Sequence, residues 1–149
     1  MTTSGSIPSW SAIRLLELAG EFLETHVDNR ISEQVAISPK SIGLRLFEAP
    51  LCGLADADDP LFADIKQPGV VGPHFMVPHE WLPGASTVIS FFFPFSAAVR
   101  RANRSDKEWP AEEWLHARIE GQAFLNAFQA HVRDALALEG HESIAPDLD

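Results

Sequence analysis

Cysteine is almost absent from this chain. Cys52 is the single one among 149 residues. No internal disulfide can form, and one thiolate cannot hold a metal or an iron–sulfur cluster, which takes about four. In its setting, APLCGLAD, Cys52 reads as a buried small hydrophobe. Positive charge is also scarce: 11 Lys and Arg stand against 21 Asp and Glu, a formal net charge of −10. Such a domain repels phosphate backbones, which argues against nucleic acid as a partner. The basic run RRANRSDK (Arg100, Arg101, Arg104, Lys107) departs from that average and reads as a solvated helix end. No apolar run reaches the ~18–20 residues that span a membrane. The start, MTTSGSIPSW, lacks the basic-then-apolar order of a signal peptide. A soluble, cytoplasmic protein without membrane partners is expected. Familiar catalytic signatures are missing too: there is no GxGxxG, P-loop GKS/T, GxSxG or HExxH. The acidic DADD (Asp56, Asp58, Asp59) lacks the glycine and closing glutamate of a calcium loop, so it reads as turn and helix cap.

What remains is an ordinary globular composition, 46% apolar and 21% charged. The length suits one domain that buries roughly two thirds of its unfolded surface. Residues 1–9 are small and polar and read as a flexible N-terminus; residues 10–149 read as a single α/β domain. Beyond a cap at Ser9, Ile13, Leu16, Gly20 and Leu23 line one face of a helix of about four turns, flanked by Leu15, Ala19 and Phe22. The stretch HVDNR ends it. Ile42, Leu44 and Leu46 alternate like a strand up to Pro50, and LCGLA continues as a short apolar run. Asp59 can cap a short helix opened by Pro60. Three prolines, Pro73, Pro78 and Pro83, break the next stretch into loop. After the Pro83-Gly84 turn, TVISFFF reads as a strand apolar on both faces, of the kind covered on both sides. The longest element follows Pro110, with Trp114, Gly121, Leu125, Phe128, Val132 and Leu136 as its stripe and Gly140 as its terminator. Gly121 inside the stripe points to close approach of another backbone. ESIAP reads as a final short strand. The fold class expected is α/β, a small mixed sheet with covering helices. So few strands make an incomplete sheet, which implies a piece of a longer architecture or a partner that finishes the sheet.

Polar groups worth following are few. His74 and His79 lie five apart on the proline-rich loop, but no third ligand is fixed near them, so no metal site is assigned. His116 and Glu120 are an i, i+4 pair near the start of the long helix, with Arg118 projecting elsewhere. An organic ligand at the His74 loop, or polar groups of the helix start facing a pocket, are the functional readings beside ordinary loop hydrogen bonding and a surface ion pair. No catalytic residue is assigned.

Three blocks, PLCGLADADDPLF, GPHFMVPHEWLPGASTVISFFFPF and EEWLHARIEGQAF, together resemble the N-terminal region of epoxyqueuosine reductase-like iron–sulfur cluster-binding proteins. The likeness runs from about Leu44 to the C-terminus. The LPG turn followed by TVIS is shared widely in that family, and HARIEGQAF is narrower. The resemblance implies an incomplete nitroreductase-like or cobalamin-reductase-like sandwich that binds base-off cobalamin through His74, Ser90, His116 and Arg118. It implies a partner too, a cluster-bearing domain or an electron-donor protein. With one cysteine, this chain holds no iron–sulfur cluster itself. It is expected to be the cofactor-binding part of an oxidoreductase, inactive alone. The alternative is a non-enzymatic interaction domain that forms a homodimer by completing its sheet.

Overall fold

A computed structural model describes residues 10–105 and 107–146. Five helices and two strands follow in the order α1 (Ala12–Thr25), β1 (Leu51–Asp56), α2 (Pro60–Ile65), α3 (Pro78–Trp81), β2 (Thr87–Phe92), α4 (Ala97–Ser105) and α5 (Glu112–Leu138). The class is the expected one, a small sheet covered by helices.

Helix α1 starts at Ser11, whose hydroxyl accepts from the Arg14 N–H at 3.3 Å. Ser9, the expected cap, lies outside the described residues. The buried face is Leu15, Ala19, Phe22 and Leu23, whereas Ile13 is exposed. The stripe is thus rotated from the expected one. The helix stops where His26 turns extended and stacks on Phe22, 4.4 Å between ring centroids. In α2, Asp59 accepts from the Leu61 N–H and Pro60 fills the first position, as its sequence predicts. Helix α4 is capped by Ser96, and Glu48 meets both its Ala97 N–H and Arg100.

Strands β1 and β2 form an antiparallel ribbon, with Leu51 opposite Phe92 and Asp56 opposite Thr87. The ladder continues less regularly. Phe47 bridges to Phe95, and Arg30 bridges to Arg45. The expected strand at residues 42–46 is therefore reduced to single bridges. ESIAP is not a strand: among the described residues no backbone neighbour pairs with it in a ladder. Strand β2 also differs from expectation. With two strands and helices on one side, its outward face is left largely open among the described residues, and Phe92 stays 62% exposed.

Helix α5 organises the core. Its buried seam is His116, Ala117, Gly121, Phe124, Phe128, Val132 and Leu136, spaced by three or four from Ala117 onward. Glu112 and Glu113 sit at its positive end. Gly140 ends it with φ 82°, while the His141 and Gly140 N–H groups return to the Leu136 and Ala137 carbonyls. Against the seam pack rings from every other layer. Phe91 meets Phe128 at 4.8 Å, Phe93 meets Phe124 at 5.6 Å, and Phe22 meets Phe124 at 5.3 Å between centroids. Gly121 does have a close neighbour, but it is the ring of Phe47 rather than a backbone; a Cβ there would sit 3.1 Å from its Cζ.

Candidate functional site

The polar groups singled out in the sequence fall into three places. The first is the start of α5. His116 is 1% exposed, and Glu120, one turn on, lies 2.9 Å from its Nδ1. The other ring nitrogen, Nε2, accepts from the Ile37 N–H at 3.2 Å. An acceptor at Nε2 fixes the neutral ring with its proton on Nδ1, donated to Glu120. The i, i+4 pair is the expected one. With both nitrogens engaged, however, His116 cannot also bind a ligand unless one of these bonds opens.

The same helix turn holds the segment that carries Ile37. Ser38 donates to Glu112 Oε1 at 2.7 Å, and Ser41 donates to the same oxygen. Lys40 approaches Glu112 and Glu113 at 3.7 and 3.6 Å. The hydroxyls of Ser41 and Ser38, with Lys40 behind them, hold the Glu112 carboxyl below the usual carboxylate range. This clasp turns serines inward and leaves Val35, Ile37 and Ile42 in water. A second polar centre is Asn29, also buried. Its amide donates to the Leu23 and Phe47 carbonyls, and its oxygen accepts from the Phe47 N–H at 2.9 Å. Sequence reading saw in HVDNR only a helix end; nothing in the pattern marks this asparagine as buried.

The second place is the loop between α2 and β2. It is tied back by one ion pair and one side-chain hydrogen bond. Lys66 reaches both oxygens of Glu80, at 2.5 and 2.6 Å, and His79 lies 2.8 Å from Asp58. Lys66, with the Val77 N–H, pulls the Glu80 carboxyl below its usual range. His74 is exposed beside Gly72, whose φ of 115° lets the loop fold back at this point. Among the described residues no three His, Cys, Asp or Glu side chains gather to hold a metal ion.

The third place is the ribbon. Ile89 and Phe91 face the core, so their neighbours Val88, Ser90 and Phe92 face outward. Ser90 is exposed opposite Gly53, and the adjoining pair Leu51 and Phe92 is 63% and 62% exposed. Cys52 is half-buried rather than buried, and the loss of solvent pushes its thiol pKa up. It is a protonated, poorly nucleophilic thiol at neutral pH.

Of the four expected ligand contacts, two are on α5 but on opposite sides: His116 faces the core and Arg118 faces solvent. Ser90 looks away from the core on the ribbon, and His74 belongs to the loop. Two open grooves lie elsewhere. One, about 450 Å³, runs along the end of α5 at Arg133, Asp134 and His141. The other, about 560 Å³, lies between α4 and α5 at Arg104, Trp109 and Trp114. Neither is lined by the four residues. No helix among the described residues is long and apolar enough to cross a membrane.

Set against known proteins, the chain matches no family model, and no curated protein or solved structure matches it significantly.

Proposed function

We propose that the chain is the cobalamin-binding N-terminal part of an epoxyqueuosine reductase-like iron–sulfur oxidoreductase, working in the cytoplasm with a cluster-bearing domain or electron-donor protein. The observation that carries this reading is the joint packing of the three stretches that resemble the family. PLCGLAD forms β1, LPG followed by TVISFF forms a turn and β2, and EEWLHARIEGQAF forms the first half of α5. The turn closes with the Ala85 N–H on the Leu82 carbonyl and Gly84 at φ 85°. The ribbon and helix then meet through Phe91, Phe93, Phe124 and Phe128.

The residues fit a corrin in part. Its broad, largely apolar face needs uncovered apolar surface, and Leu51 with Phe92 supplies some beside Ser90. Ser90 can offer its hydroxyl there, and His74 and Arg118 are accessible. His116 is better suited to hold the start of α5 in place than to touch a ligand. A bound cobalamin would supply a redox-active cobalt; the chain's own part is to bind and orient it. The test is a titration with cobalamin followed by visible absorption and gel filtration. A spectral shift toward the base-off form with co-elution is expected. An unchanged spectrum and no co-elution would sink the proposal.

A second reading, a non-enzymatic domain that dimerises by completing its sheet, is favoured by the two-stranded ribbon. A net charge of −10 on each copy weighs against it. Light scattering that gives a monomer mass at high concentration would remove it.

A further inference from the structure

The free edge of β1 has the features of a strand that awaits a neighbour. The Ala57 N–H bonds the Ser86 carbonyl, in register with the ladder. That sets the alternation: Gly53 and Ala55 bond β2, while Cys52 and Leu54 point their N–H and C=O groups outward. Among the described residues no other backbone group meets them. Natural edges are commonly guarded by lysine, an internal proline or a bulge. LCGLAD has none of these. The outward face of β1 is open, with Leu51 63% exposed, and Leu54, on the core-facing side opposite Ile89, is still 45% exposed. A third strand would cover the exposed part of both side chains and extend a ribbon that has only its helices for support.

Charge chooses the occupant. The end of β1 leads into Asp56, Asp58, Asp59 and Asp64; Asp59 caps α2 and Asp58 meets His79, which leaves the exposed Asp56 and Asp64 without a cationic partner among the described residues. The nearby Lys66 is already bound to Glu80. A second copy would bring the same carboxylates and its own charge of −10. We infer that the β1 edge is completed by an extended basic strand of a partner polypeptide, alternating apolar side chains with Lys or Arg. The inference rests on the reading that this domain works with a partner, and it names that partner's docking chemistry. Backbone bonds at Cys52 and Leu54 would give affinity, and the aspartates would give selectivity.

The probe is a capped peptide of about nine residues alternating lysine and valine, with a glutamate–valine peptide as control. Amide hydrogen exchange of the whole chain is followed with each. Slower exchange at Cys52 and Leu54 is expected with the lysine peptide alone, and its binding should weaken on the order of tenfold from low to high salt. Leu54→Pro should abolish binding while keeping the ladder, because the N–H it removes points outward. The Asp56→Asn, Asp64→Asn double variant removes two exposed charges, keeps an amide oxygen for the Asp58 N–H, and should weaken binding while the Cys52 and Leu54 backbone groups stay in place. Equal binding of the glutamate peptide, protection elsewhere, no protection at all, or a dimer mass without peptide would each overturn the inference. Cobalamin binding with no peptide binding refutes this inference alone; the reverse refutes the cofactor reading alone.

Discussion

Replacing Gly121 by alanine sets two effects of opposite sign against each other. In an exposed helix interior the change stabilises by up to ~1 kcal/mol. Here the new methyl would stand 3.1 Å from Cζ and 3.3 Å from Cε2 of Phe47. That ring has little freedom to withdraw. It is buried, it stacks on Phe95 at 5.5 Å, and it meets Phe124 at 5.4 Å. Its backbone is held by Asn29 and by the Arg45 Nε–H on its carbonyl at 2.8 Å. Overpacking a site of this kind costs about 1–3 kcal/mol. The net expectation is a loss of about 1 kcal/mol, read as a lower urea midpoint at unchanged slope. The decisive comparison is the same change made in a Phe47→Leu background, where the smaller side chain leaves room. There Gly121→Ala should become neutral or stabilising, a coupling of about 1 kcal/mol or more. If Gly121→Ala stabilises the parent, or costs the same in both backgrounds, the contact with Phe47 is not what requires the glycine.

Asn29→Ala should destabilise by about 2–4 kcal/mol, because it strands the buried Phe47 N–H and removes two further bonds; a loss under about 0.5 kcal/mol in the same urea assay would refute the role given to it. The clasp makes a prediction about pH. The Glu112 carboxyl is depressed in the folded chain, so the unfolded chain binds its proton first on acidification. Its contribution to stability is present above the ordinary carboxylate pKa and fades as pH falls through the folded value. Ser41→Ala removes the largest cause of that depression, so the variant's deficit should shrink from neutral pH into the acid range. A deficit constant across that range, measured by urea midpoints, would contradict the assignment.

Local chemistry was legible wherever one residue decides it. Asp59 and Pro60 open α2, Gly140 closes α5, and Pro83-Gly84 turns into β2, each for a reason confined to a few positions. The His116–Glu120 pair was legible too, since helical spacing alone brings it together. Its third member, the Ile37 N–H, was not, because a contact across 79 positions leaves no periodic trace. The same holds for Asn29 and for Glu112 with Ser38 and Ser41. Apolar runs misled in a different way. VISFFF is as apolar as a buried central strand, but burial depends on what covers it, and among the described residues the ribbon's outward face has no layer above it. The candidate contacts suffered likewise: a two-residue step along α5 sends His116 and Arg118 to opposite sides.

The inverted polarity of the segment around Ser38 and Ser41 divides the molecule's response to solvent. The phenylalanine core tightens with sulfate and loosens on cooling, as apolar burial does. The clasp leaves Val35, Ile37 and Ile42 exposed, so those variables act on it weakly. Its Lys40 link answers instead to ionic strength, and its Glu112 bonds answer to acid. Two parts of one small chain, joined through α5, are thus tuned to different features of the medium, and ionic strength or pH can loosen the edge of the molecule while its centre stays packed.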